Sequence, residues 1–394
     1  MLLRAVSPAL AAYQVNRPGR ILFDREARKS VLGTLPPAQR QALCGQPRQR
    51  WPSHPVVKTV NARDDGGPDD RSEPFAWTVM NEAAVAYGLD DAYARRSLVR
   101  LLDRWARSGG LTRLNESEVN VYYAVDRSLL PTLVAWSLVR DAPDVERERA
   151  QRIDRWLRRV ARLRGDLRPR SSEGDLTSRN NHRYLSASVS MAWGALTGDD
   201  SYFREGFAAF DRALADMRTD GSLPLETERG ARALWYQRHA IASLVTIAEI
   251  GAAQGYDLYG LEENGRSLHT AVRFLLDAVD NPALVEAYAA ADYKPGTAQD
   301  PEDQDLSFLE ARGHGRHYMA WSELYMARFP DREESRRLLA LLERKDPDFR
   351  PMIDDYSGGN TTCFVARPRG SHANGAGETP TPPANANSNA AQRE

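Results

Sequence analysis

Cysteine occurs only at Cys44 and Cys363, lysine only at Lys29, Lys58, Lys294 and Lys345, and no apolar run approaches the roughly 20 residues that span a bilayer. The cysteine scarcity excludes a disulfide framework, and with neither Cys-x-x-Cys nor His-x-x-x-His there is no zinc signature. One bridge between Cys44 and Cys363 is open to the chain in an oxidising compartment. Cysteines so distant in sequence seldom come within bridging distance, however, so the expectation is that they stay apart. A net charge of −1, from 53 basic and 54 acidic residues, removes any general electrostatic case for nucleic acid as partner. No membrane partner is expected, since no segment is long and apolar enough to span a bilayer.

Arginine supplies almost all the positive charge, scattered among acids along helical faces. Runs such as residues 152–164 therefore read as solvated surface, and the arginine bias as genome composition. The start, Met1 to Ala12, has one Arg, a short apolar run broken by Pro8 and an Ala9-x-Ala11 site, which is a weak export signal.

Strand patterns are nearly absent. With 42% apolar and 8% aromatic residues there is ample material for a core, and most of residues 74–345 repeats apolar positions at three- and four-residue steps. Leu98, Leu101, Leu102 and Trp105 line one stripe, closed by Gly109-Gly110. Residues 119–139 form another, with a kink or break expected at Pro131. Ile153, Trp156, Leu157, Val160 and Leu163 make a third, and Leu185, Val189, Ala192, Trp193 and Leu196 a fourth, ended by Gly198. Residues 202–217, 231–253, 268–279 and 317–329 continue the series. An array of antiparallel helices with short connections fits either an α/α toroid or an α-solenoid; no word recurs at a solenoid's period. Residues 1–73 read as an irregular arm, with one helix near Pro37 to Leu43 and a polar loop at 58–71. The domain proper is 74–368, and 369–394 is a tail whose composition signals disorder.

The chemistry concentrates in Arg179-Asn180-Asn181-His182-Arg183-Tyr184, Glu226-Thr-Glu-Arg229 and Ala233-Leu-Trp-Tyr236. An amide, an imidazole, a guanidinium and a phenol are the groups needed to draw a proton from a carbon beside a carboxylate. That proton becomes acidic only when the carboxylate charge is neutralised, so donors must be fixed at its oxygens. Asn181 offers N–H donors and Arg229 a planar fork. A free phenol titrates near pH 10, about three units too high for a base at neutral pH. A guanidinium at about 4 Å supplies roughly 4 kcal/mol at an effective dielectric of 20, which is the size required. If Arg229 and Tyr236 share a helix, they lie two turns apart on one face. Taken singly, each residue has an ordinary structural role; their joint spacing carries the reading.

In order and interval these residues resemble the alginate lyases of polysaccharide lyase family 5. The echoes extend to Asp220-Gly-Ser-Leu-Pro-Leu-Glu226, to Ala320-Trp321-Ser-Glu323-Leu-Tyr325 and to Gly358-Gly359-Asn360. The resemblance covers residues 75–365 and implies an all-α fold, the α/α toroid, with Asn181, His182, Arg229 and Tyr236 as catalytic residues. It implies an acidic polysaccharide as partner, met in the periplasm or outside the cell, and an enzyme acting as a monomer without metal or organic cofactor. Cleavage is expected by β-elimination of 1,4-linked polyuronate, foremost mannuronate-rich alginate. Where proton and leaving oxygen share a face, Tyr236 serves as base and acid; where they do not, neutral His182 takes the proton. Arg183, Tyr184 and Tyr123 are candidates for binding neighbouring sugars. The family's mobile lid falls at 58–71, where no Tyr stands; either Lys58, Arg63 or Arg71 takes its substrate contact, or the segment differs in role and is a plain surface loop.

One departure concerns specificity. Relatives carry Trp after the motif Tyr where this chain has Leu185, so a lost sugar platform would shift preference toward glucuronate-containing chains. Two other classes compete: a toroidal hydrolase using carboxylates among Glu173, Asp175, Glu226 and Glu228, and a silent polysaccharide-binding or export protein. His239 is expected to pack, and residues 313–317 to form a turn.

Overall fold

The computed structural model describes residues 8–45, 55–61, 71–115, 121–166, 179–292, 300–312 and 315–367. The arm holds three helices, α1 (Pro8–Ala11), α2 (Arg25–Gly33) and α3 (Pro37–Cys44). The domain continues with α4 (Glu73–Gly88), α5 (Ala92–Ser108), α6 (Val121–Val139), α7 (Arg147–Asp166), α8 (Asn181–Thr197), α9 (Asp200–Asp216), α10 (Pro224–Thr227), α11 (Ala233–Ala253), α12 (Leu268–Asp280), α13 (Ala283–Ala289), α14 (Trp321–Arg328), α15 (Glu333–Lys345) and α16 (Thr361–Val365). Two-residue strands pair Thr59–Val60 with Arg113–Leu114 in parallel and Ile353–Asp354 with Gly359–Asn360 antiparallel.

Apolar patterning sorts these helices into two rings. Helices α4, α6, α8 and α11 are buried nearly all round, as helices without a polar face must be. They pack in succession, α4 on α6, α6 on α8 and α8 on α11, with α14 following on α11. Amphipathic α5, α7, α9, α12 and α15 back them from outside; α5 turns Leu98, Leu102 and Trp105 inward, and α7 turns Ile153, Trp156, Leu157 and Val160. This is an α/α toroid. Short turns fix its hairpins: Asp91 and Asp199 cap α5 and α9 through backbone N–H groups, while Gly109 and Gly198 end α5 and α8 in the left-handed conformation. Helix α6 runs through Pro131 as one element instead of breaking there. Among the described residues no helix is long and apolar enough to cross a membrane.

The arm is less irregular than its composition suggests. Ile21, Leu22, Leu32 and Leu43 are buried in the main core, the Tyr13 ring stacks on Phe207 at 3.6 Å, and Gln254 binds backbone groups of Arg17 and Arg20. Contrary to expectation, Cys44 and Cys363 form a disulfide, with Cα atoms 4.7 Å apart. Arm and C-terminal segment both lie against α4, so sequence separation misjudged distance in space. Any Cβ on Gly88 would strike both sulfurs, so this glycine makes room for the bridge. Arg28 adds a second tie, donating to the carbonyl of Cys363 at 2.9 Å.

Candidate active site

Asn180 caps α8, its Oδ1 accepting the His182 backbone N–H at 3.1 Å, so the capping role falls on Asn180 and not on Asn181. Asn181 is 1% exposed; its backbone N–H donates to Glu226 Oε1 at 2.7 Å and its side-chain nitrogen faces His239 Nδ1 at 3.4 Å. Among the described residues its Oδ1 has no hydrogen-bond partner.

From His182 a continuous run of rings crosses the centre of the toroid. His182 stacks on Tyr123 (centroids 4.5 Å apart), Tyr123 meets Tyr356 edge-on (5.9 Å), Tyr356 stacks on His239 (4.6 Å), and His239 meets Tyr236 edge-on (5.7 Å). At its end the Arg229 guanidinium sits 3.7 Å from the Tyr236 ring centre. The array therefore gathers Asn181, His182, Arg229 and Tyr236, drawn from the starts of α8 and α11 and the turn before α11. Arg229 precedes that helix, whose first residue is Ala233; a short 3₁₀ turn over Gly230–Arg232 folds its side chain back over the phenol. The two residues are thus not two turns apart on one helix.

Beneath the rings lies a buried ion network. Arg127 binds Asp355 at 3.0 Å and Glu73 at 3.5 Å; Arg316 binds Asp354 at 2.7 Å, Glu73 at 3.3 Å and also Asp355. Arg238 is fully buried among Tyr318, Trp235, Phe308 and Tyr356, and burial pushes it down to about 10. Burial, reinforced by Arg238 and Arg316, holds His239 well below the usual histidine range, so it is a neutral ring. Glu226 is pushed up to about 8 by burial, against the pull of Arg229 and the Asn181 N–H. Half-buried Arg229, Arg232, Arg312 and Tyr318 stand where the array meets solvent, with Arg232 5.5 Å from the Tyr236 ring and Arg312 5.0 Å from Tyr318.

Several sequence expectations need correction here. Leu185 is wholly buried in the apolar core, so it marks no lost sugar platform. Tyr184 is also buried and senses Glu226, Asp216 and Arg212, on the α9 side away from the rings, so it does not reach neighbouring sugars. His239 does more than pack: it touches Asn181, Tyr236 and Tyr356. Of the expected turn at 313–317, residues 313 and 314 lie outside the described residues, while Arg316 is buried and joins the network. Tyr123 does face the array, while Arg183, next to His182 in sequence, is half-buried. Lys58 and Arg71 are exposed at the two ends of the expected lid; residues 62–70, Arg63 among them, lie outside the described residues. Of the carboxylates nominated for hydrolysis, Glu226 is buried with its Oε1 taken by the Asn181 N–H, and Glu228 is bound by Arg218 at 2.6 Å, whereas Glu173 and Asp175 lie outside the described residues. Arg232, Arg238 and Tyr356 gave no separate sequence signal; Tyr356 stands two residues before the Gly358-Gly359 turn, and His239 one helical turn after Tyr236.

A helical toroid that gathers an amide, an imidazole, a guanidinium and a phenol at its centre places the chain, with the similarities below, in the polysaccharide lyase class. The chain belongs to the alginate lyase family, whose pattern it matches over residues 68–285. A polysaccharide lyase of Stenotrophomonas maltophilia is 31% identical over 61% of this chain, and an alginate lyase of Azotobacter vinelandii 29% over 66%. These matches span 65% and 64% of those relatives' own lengths. The crystal structure of alginate lyase A1-III from Sphingomonas species A1 superposes with a TM-score of 0.73 at 26% identity, covering 92% of this chain and all of the other.

Proposed function

We propose that this protein is a lyase that cuts 1,4-linked polyuronate, mannuronate-rich alginate foremost, by β-elimination and leaves an unsaturated uronate at the new non-reducing end. One observation carries the reading: the Arg229 guanidinium lies over the Tyr236 ring, beside an array that ends at Asn181 and His182. In the proposed step Asn181, His182 and Arg229 neutralise the sugar carboxylate and the C5 proton passes to the Tyr236 oxygen. The C4–O4 bond breaks as the C4=C5 double bond forms, and the same phenol protonates O4. Arg229 opposes the negative charge that appears on Tyr236 while its proton is absent. Arg232 and Arg312 are placed to meet carboxylates of neighbouring sugars.

Support comes from two further solved forms of alginate lyase A1-III, a Tyr-to-Phe and a His-to-Ala variant, each complexed with a tetrasaccharide. In that enzyme the substituted His precedes the substituted Tyr by the interval that separates His182 from Tyr236. The glucuronate alternative loses the reason drawn from Leu185, now a core residue. A disulfide supports an oxidising compartment, hence a periplasmic or secreted enzyme.

The test is ultraviolet absorbance of the purified protein on polymannuronate, polyguluronate, glucuronan and hyaluronan in parallel. Growth of the unsaturated-sugar band, fastest on polymannuronate, is expected. Reducing ends released without that band would instead establish hydrolysis.

A further inference from the structure

Helix α7 carries more arginine than its packing uses. Arg149 and Arg152 reach Asp103 on α5, but Arg155, Arg158, Arg159 and Arg162 are exposed, and none has an ion-pair partner among the described residues. These four occupy successive turns of one face, so their charges add. Two of them, Arg158 and Arg162, form one wall of a cavity of about 650 Å³. Its other walls are the end of α8, with Trp193, and the start of α9, with Tyr202. The two acids at its rim are already engaged: Asp199 caps α9, and Asp200 accepts the Val15 N–H at 2.8 Å and pairs with Arg204 at 3.7 Å. What remains is a sugar-sized hollow with two free guanidinium groups and an aromatic edge, suited to carboxylate-bearing rings.

Its position gives the hollow a meaning. Helix α8 starts at Asn181 in the candidate active site and ends at Thr197 in this cavity, so the two lie about 24 Å apart at 1.5 Å per residue. We propose that the cavity is a second, non-catalytic binding site for a polyuronate strand, holding a long chain while the cleft acts on another stretch of it. The ligand class rests on the lyase reading above. Two linked weak sites raise the affinity for a chain long enough to occupy both, and add nothing for a fragment that fills one.

The test compares the whole chain with its Arg158→Glu/Arg162→Glu form. Both side chains are exposed and outside the cleft, so kcat and KM on a mannuronate tetramer stay as they were. On long polymannuronate at low salt KM rises about tenfold, kcat stays, and the difference between the two forms shrinks as salt is added. An Arg158→Lys/Arg162→Lys form keeps most of the low KM. A parallel titration uses Tyr236→Phe protein and tetramer: two sites per chain are expected, and one after charge reversal. One site in both forms, or equal KM values on the long polymer, overturns the proposal even if the cleft cleaves alginate. Two sites with no turnover of any polyuronate by the unaltered protein would sink the lyase reading and leave this one standing.

Discussion

His239 Nδ1 faces the side-chain nitrogen of Asn181 at 3.4 Å, deep in the ring array and away from solvent. With the imidazole neutral, as its burial favours, and Nδ1 as the acceptor, the contact is an N–H donation from Asn181. In the proposed mechanism this holds one Asn181 N–H toward His239 and leaves the other for the sugar carboxylate. On that mechanism His239 is a positioning residue. His239→Phe keeps the ring stack on Tyr356 but removes the acceptor. It should lower kcat about tenfold, the worth of roughly one buried hydrogen bond, with little change in KM, and His239→Gln should recover part of the loss. Equal kcat in His239→Phe and the unaltered protein would end this role.

Arg229 is asked for both charge and shape. Lysine keeps the charge but cannot lie flat on the Tyr236 ring or present a fork to a carboxylate. Arg229→Lys should lose at least tenfold in kcat/KM, and Arg229→Ala more, on an order of 100-fold for a lost transition-state donor. Steady-state rates on polymannuronate decide it; a fully active lysine form would show that charge alone suffices.

The bridge between Cys44 and Cys363 ties the arm to the segment that closes the toroid. A Cys44→Ser/Cys363→Ser form should unfold with about 2–4 kcal/mol less stability, measured in urea under identical conditions. A reductant should lower the midpoint of the unaltered protein toward that of the serine form and leave the latter unmoved. No difference between the two proteins would mean that Arg28 and packing already hold the seam.

Acid should weaken the fold partly through His317. Burial holds this residue at about 4, and its Nδ1 accepts the Met319 N–H at 3.2 Å. Its folded pKa lies below the unfolded value near 6.5, so the unfolded chain binds the proton first and stability falls as pH drops from 6.5 toward 4. The full effect is roughly 3 kcal/mol. Glu226 and Asp354, both raised by burial, titrate in the opposite sense, so the clean observable is a difference: His317→Gln should flatten the acid limb of stability against pH relative to the unaltered protein. Parallel curves for the two would remove His317 from the account.

How far the residues alone announce this structure depends on the kind of signal. Helices α5, α6, α7, α8 and α11 were legible because their apolar positions repeat at helical spacing, whereas the burial of α4, α6, α8 and α11 on nearly every side became visible only in the fold. The four motif residues were legible as a set through their order. Hidden from the sequence were features that depend on where the chain returns: the meeting of Cys44 with Cys363, the arrival of Tyr356 between Tyr123 and His239, and the arrival of Arg316 at the buried ion network. Orientation at the start of α8 was hidden as well. Until the helix phase is fixed by Asn180, nothing says that Asn181 and His182 face the rings while Tyr184 and Leu185 turn into the packing.

The central claim is that the Tyr236 hydroxyl moves the proton. Its most direct test is Tyr236→Phe, which removes one oxygen from a ring held by Arg229 and His239. With polymannuronate, absorbance of unsaturated product should fall below detection while binding of a mannuronate tetramer in titration stays close to that of the unaltered protein. Near-normal turnover by the phenylalanine form would contradict the account.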